Sequence, residues 1–290
     1  MIVYTDNECD YVKDYYDFVC KSLLELNLKK DFSVVGLNPF DIKNNPFIFI
    51  NYEHNLVHPS VPYYPPLISN TKVIDNSSQN YLVRIEQLNN FLNCSYYIEY
   101  SQPNIQNIKS CSSFDQFNDK IIYIPPILCE YSPESESRDE YDVVTSFYIL
   151  NPDGRPRRKI LHDILELEIP KYYNIPKVFG EDLYNGIYKK SKILVNVHQT
   201  DHHHTFEELR VLPALLNGLI VIAEDSPLRQ SVPYNEYIIW CKYEDIAEKT
   251  KEVLNDYQSF YERIHGESSG LKDIIFKMIE DLNIELKKIS

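Results

Sequence analysis

With 290 residues, 43% of them apolar and 25% charged, the chain has a globular composition and enough length for two domains of ordinary size. A formal net charge of −14 excludes a nucleic acid as the main partner, because binding a polyanion needs a basic surface, but it leaves room for a local cationic pocket that takes one diphosphate. Cysteines 9, 20, 94, 111, 129 and 241 form no CxxC pair, which excludes a zinc ribbon or a disulfide framework and points to a reducing, cytoplasmic setting.

The start, MIVYTDNECD, lacks the basic opening and apolar core of a signal peptide. No apolar run approaches the roughly 18 to 20 residues of a membrane span, so no transmembrane segment is expected. Met1 to Tyr4 predicts a first strand, followed by a helix from Tyr11 to Leu28 carrying Val12, Tyr16, Val19, Leu23 and Leu26 at helical spacing. Ser33 to Gly36, Phe47 to Asn51, Ser95 to Tyr100 and Lys120 to Ile124 read as further strands, with a short helix after Pro103. The polar, acidic stretch from Cys129 to Tyr141 reads as a linker. Beyond it the pattern restarts with a strand at Asp142 to Tyr148, a helix at Pro156 to Leu167, a short strand near Lys177 to Phe179 and a helix at Glu181 to Ser191.

Ile193 to Asp225 then predicts a βαβ unit: strand Ile193 to Val197, a His-rich loop, a helix opening at Thr205 and strand Leu219 to Ala223. A strand at Tyr237 to Cys241 and a helix at Asp245 to Tyr257 follow. Leu271, Ile274, Ile275, Met278, Leu282, Leu286 and Ile289 make one stripe of a last helix. Alternating strands and helices predict an α/β fold of two Rossmann-like domains facing a cleft. Residues 1–130 form the first domain, 131–141 the linker, 142–268 the second domain, and 269–290 a C-terminal helix crossing the junction.

Thr205-Phe206-Glu207-Glu208 has the form of a capping box, in which the Thr205 hydroxyl and the Glu208 carboxylate satisfy each other's backbone amides. Glu207, one residue away, is placed to accept from a ribose diol, or else to make an ordinary ion pair with Arg210 three residues on. His198, His202, His203 and His204 surround this helix start. Adjacent histidines cannot all point at one ion, so no metal site is expected, and His198 at the strand end is the best placed to donate to a phosphate or sugar hydroxyl. Gly154 to Lys159 (GRPRRK) sets cations around the start of a helix, as a diphosphate would need, with Arg158 the preferred contact; a solvated basic surface accounts for them equally well. Glu53, beyond the strand FIFI, and Asp75, after Val73 and Ile74, are candidate general bases at sheet edges; loop caps are the plain alternative. The absence of GxGxxG, GxxxxGK[ST] and GxSxG removes the commonest dehydrogenase, P-loop and hydrolase readings.

Asn196-x-His198, Glu207-x-x-Arg210 and Leu215-x-Asn217-Gly218-x-x-Val221-Ile222-x-Glu224 together resemble the donor-binding domain of GT-B fold glycosyltransferases. Ile98 to Ile108 and Ile121 to Leu128 resemble paired segments in the acceptor domain of small glycosyltransferases from large DNA viruses, chloroviruses among them. The resemblance implies transfer of a sugar from a nucleotide-sugar donor to a hydroxyl of a glycan acceptor in the cytoplasm, that of the host for a viral protein, with no cofactor and no obligatory metal. UDP-sugars are the implied donors, UDP-xylose among them, with GDP-sugars left open. It assigns the ribose to Glu207, the diphosphate to Arg158 and the Thr205–Phe206 helix start, and the base to the backbone of Val178, Phe179 and Gly180. His198 and Arg210 complete the donor side. Pro213 stands where the retaining pattern has its second glutamate, which favours inversion with Asp75 or Glu53 as the base. A non-catalytic nucleotide- or carbohydrate-binding module is the alternative, and an isomerase or epimerase a third.

Overall fold

The computed structural model describes residues 2–4, 10–25, 33–34, 46–58, 72–76, 81–85, 87–134, 138–149, 156–175 and 177–289. The chain forms two compact units: Met1–Pro126 with His202–Phe206 and Met278–Ser290, and Ile127–Asp201 with Glu207–Lys277.

In the first unit the order is β1 (Ile2–Tyr4), α1 (Asp10–Glu25), β2 (Ser33–Val34), β3 (Phe47–Ile50), β4 (Leu56–Val57), β5 (Lys72–Asn76), β6 (Tyr81–Ile85), α2 (Leu88–Asn93), β7 (Tyr96–Glu99), α3 (Gln102–Lys109) and β8 (Ile121–Tyr123). A parallel sheet runs β2-β1-β3-β7-β8. All four residues of β3 are buried, as a strand covered on both faces requires. From α1, Val12, Tyr15, Val19 and Leu23 face inward. Tyr15 lies on the buried side instead of the expected Tyr16, because its hydroxyl donates to Ile124 O at 2.7 Å and its ring meets Tyr100 edge-on. Phe91 packs edge-on against Tyr97 at 4.8 Å and Phe114 at 5.4 Å, in a core shared with Phe47, Phe49 and Ile108.

A separate antiparallel sheet, β4-β6-β5, has no counterpart in the sequence-based pattern. It overturns the placement of Asp75, which lies within β5 opposite Leu82 and not at the edge of a parallel sheet; its side chain is outside the described residues.

The second unit contains β9 (Tyr141–Thr145), α4 (Pro156–Glu168), β10 (Tyr172–Asn174), α5 (Gly180–Tyr184), β11 (Ser191–Asn196), α6 (Glu208–Leu216), β12 (Ile220–Glu224), β13 (Ile238–Cys241), α7 (Ile246–Asn255) and α8 (Tyr257–His265). The last helix, α9 (Leu271–Lys287), begins in this unit, and its residues from Met278 onward belong to the first. All pairings in the order β10-β9-β11-β12-β13 are parallel. Counted within the sheet, the strands of each parallel sheet therefore have the order second, first, third, fourth, fifth, which is a doubly wound α/β arrangement occurring twice in one chain.

The strand expected near Lys177 to Phe179 lies earlier, at Tyr172–Asn174, where two tyrosines pair with Val143 and Val144. The predicted linker is partly a built element. Arg138 is buried and donates to the carbonyls of Pro133, Tyr188, Ser191 and Asn217. Gly218, at φ +79°, ends α6 beside it, and a Cβ there would come within 2.6 Å of Pro133.

Candidate functional site

In the second unit β9 has β10 on one side and β11 on the other, so the chain leaves it in opposite directions. Doubly wound sheets bind ligands beyond the carboxyl ends of the strands at such a point. The first turn of α4 places Arg157 and Arg158 there, with Pro156 supplying the fixed φ that suits a helix start.

Arg158 is buried. Its Nη2 donates to Val197 O at 2.8 Å, just past β11, and to Glu207 Oε1 at 3.0 Å. Glu207 Oε2 accepts from Arg210 Nη1, one turn along α6. Burial pushes the Glu207 carboxyl up, but the charges of Arg210, Arg158 and His198 outweigh it and hold its pKa below the ordinary carboxylate value. Arg158 is thus a strut that presents Glu207, and Arg210, with a third of its side chain exposed, is the more accessible cation of the three groups.

A second strut lies alongside. Arg157 grips Glu224 with both ends of its fork, Nη1 to Oε2 at 3.0 Å and Nη2 to Oε1 at 2.6 Å. Its Nε meets Asp201 at 3.0 Å, and its guanidinium stacks on Tyr243 at 4.3 Å. Glu224 Oε2 also accepts from the His198 backbone N–H at 2.9 Å. Burial again pushes Glu224 up, while His198 and Arg157 more than offset it, so its pKa is lowered. His198 Nε2 lies 3.2 Å from Asp225 O; a carbonyl only accepts, so this nitrogen carries a proton. One guanidinium therefore ties together the loop after β11, the last residue of β12 and the segment after β13.

The helix start differs from the expected capping box. The first residue of α6 is Glu208, with Glu207 at the cap position. Thr205 does not cap the helix: its hydroxyl accepts from Leu56 N at 3.2 Å and donates to Asn104 Oδ1 at 2.7 Å, within the first unit. Glu208 is fully buried and accepts from Tyr234 OH at 3.0 Å. Three long-range hydrogen bonds, two at Thr205 and one at Glu208, thus stand where the reciprocal local pair was expected. Phe206 is buried, and its carbonyl accepts from Ser101 Oγ. The triplet His202–His204 is likewise built into the first unit, where His203 bridges Val57 antiparallel and its Nε2 meets Arg84 Nη1 at 2.9 Å.

Val178, Phe179 and Gly180 lead into α5, with Gly180 at φ +62°. Gly154 and Arg155 lie outside the described residues. In the first unit Glu53 lies three residues past β3, with 23% of its side chain exposed and Arg84 Nη2 3.5 Å from its Oε2. The structure thus brings together Arg158, His198, Glu207 and Arg210, and places Thr205, Phe206 and Glu53 in the other unit. Sequence reasoning left Arg157 and Glu224 without a role, although the arginine run and the glutamate ending the β12 motif were their signals.

No protein-family model matches the chain. It is 24% identical over 254 residues, 81% of this chain and 84% of the relative, to the uncharacterized protein R358 of Acanthamoeba polyphaga mimivirus. Solved structures that resemble it are the GtfA/B complex (TM-score 0.45, 12% identity, 92% of this chain and 60% of that one) and TarM (0.45, 11%, 90% and 57%). A third is the wall teichoic acid polymerase TagF (0.40, 12%, 97% and 88%). The chain spans less than two thirds of the first two structures it matches. The fold class rests on the strand order itself: a two-unit α/β protein with one doubly wound sheet in each unit.

Proposed function

We propose that the chain is a glycosyltransferase that moves a sugar from a nucleotide-sugar to a glycan hydroxyl. One observation carries it: His198, Glu207, Arg210 and Glu224, far apart in sequence, converge with Arg158 at the carboxyl ends of β11 and β12 into one charged cluster. In this assignment the diphosphate is met by Arg210 and the amides of the first turn of α6, with His198 as a further donor. Arg158 acts through Glu207, whose carboxylate is the group that accepts from the ribose diol. The Val178–Gly180 backbone takes the nucleobase. Inversion with Glu53 as the base is favoured, because Glu53 follows a parallel strand whereas Asp75 sits inside an antiparallel one. UDP-sugars, with UDP-xylose first, are the donors to test, without added metal.

Thermal unfolding with UDP, GDP and their sugars checks this: a ligand at a hundred times its dissociation constant adds about 2.7 kcal/mol. A shift with none of them would refute nucleotide-sugar transfer. A shift with donor but no nucleotide release with any acceptor would favour a non-catalytic binding module instead.

A further inference from the structure

A buried polar hub in the first unit is built around Glu99. Glu99, the last residue of β7, is 0% exposed, and five N–H donors converge on its carboxyl group. Oε1 accepts from Tyr100 N at 3.0 Å, Ser101 N at 3.1 Å and Asn104 Nδ2 at 3.1 Å. Oε2 accepts from Asn51 Nδ2 at 2.7 Å and Asn55 Nδ2 at 3.2 Å. A core carboxyl costs several kcal/mol to desolvate, so such a group persists only where its hydrogen bonds hold something in place.

What they hold is the backbone of Glu53. Asn51 closes around it from both sides: its Oδ1 accepts from Glu53 N at 3.3 Å, and its Nδ2 donates to Glu53 O at 3.2 Å. Asn104 Nδ2 donates to the same carbonyl at 3.1 Å, and Asn104 Oδ1 accepts from Asn55 N at 3.2 Å. Asn51 and Asn104 each bond Glu99 as well, so the carboxyl group fixes the two amides that clamp residue 53. Orienting both amides takes an acceptor of two oxygens at the end of β7, and a glutamine would turn an N–H₂ toward donors.

We propose that Glu99 is a positioning residue for Glu53: through Asn51 and Asn104 it sets the backbone from which the acceptor-activating carboxylate is presented. Because Glu53 is a base only if the chain transfers a sugar, the catalytic half of this proposal rests on the proposed function; the positioning half does not.

The test compares Glu99→Gln, Asn51→Ala and Glu53→Gln with the unaltered chain. Hydrogen exchange is followed at the Glu53 and Asn55 amides, and nucleotide release is measured from UDP-xylose and other UDP- and GDP-sugars. Both Glu99→Gln and Asn51→Ala are expected to speed exchange at those two amides by about tenfold or more while α7 amides keep their protection. Both are expected to lower kcat by about a hundredfold with donor KM within about twofold, the split that misplacing a reacting group produces. Asn51→Ala, which deletes one clamp and leaves the other four donors on Glu99, decides the matter if Glu99→Gln fails to fold. Unchanged exchange at Glu53 and Asn55 overturns the proposal, as does unchanged kcat in both variants when Glu53→Gln is inactive. Full turnover in Glu53→Gln overturns instead the assignment of the base, and leaves the exchange result to stand.

Discussion

Arg158→Met is the most informative single change in the donor-side unit. The Arg158 side chain is 2% exposed and pairs with a Glu207 side chain that is 8% exposed. Removing it takes one ion-pair partner from that buried carboxylate, beside Arg210, and a donor from Val197 O. Breaking one side of a buried pair costs about 3 to 5 kcal/mol, and an orphaned carbonyl about 1 to 3; the two overlap, so about 4 kcal/mol is expected. Replacing both partners, Arg158→Met with Glu207→Leu, should recover most of this, because the desolvation penalty disappears with the pair. Urea unfolding followed by Trp240 fluorescence suits the measurement, since the chain has one tryptophan and it lies in β13 of this unit. A loss below about 1 kcal/mol for the single variant, or a double variant no more stable than the single, would refute the strut.

His265 donates to Leu219 O at 3.0 Å, and burial, with Arg138 adding to it, lowers its pKa to about 4. A depressed folded-state value means that stability is fully present above the ordinary 6.5 and is lost as pH falls toward 4, a loss of about 3 kcal/mol that the same tryptophan signal should show and that His265→Gln should flatten. Thr205→Val should cost about 1 to 2 kcal/mol and raise hydrogen exchange at the Leu56 amide while leaving α6 protected; the reverse pattern would restore the capping box. Gly218→Ala forces a Cβ into Pro133 at a positive φ, and at least about 2 kcal/mol should be lost from the second unit in urea titrations.

The doubly wound sheets were legible because their strands are continuous apolar runs, FIFI and ILV among them, that no helix face or exposed strand would tolerate. Glu207 and Arg210 were legible as a pair because helical spacing fixes their contact. What escaped was long-range. Thr205 satisfies every local rule for a cap, yet a backbone amide near residue 56 and an asparagine at 104 claim its hydroxyl, and nothing within four residues reveals either. Asp75 reads as a strand end because the turn that follows is polar, whereas its pairing with Leu82 depends on a hairpin partner. Glu99 and Asn104 lie in the Ile98 to Ile108 segment that carries the resemblance, but their role was not legible there, since it lies in five hydrogen bonds that exist only after β3, β7 and α3 have assembled.

The five residues His202–Phe206 give the chain a timetable. β4, paired with β6 on one side, finds the partner for its other side at His203 only after about 75 further residues have left the ribosome beyond Pro126, roughly 4 to 15 s at ordinary rates of synthesis. Until then Leu56 and Val57 present unpaired backbone along an open edge, the kind of surface that invites pairing with another nascent chain. Tyr96, whose hydroxyl donates to Lys288 O at 2.8 Å, waits for a partner 192 residues further along the chain. The unit that begins first is therefore among the last to be completed, and a fragment ending at Pro126 would lack segments that it cannot borrow from elsewhere.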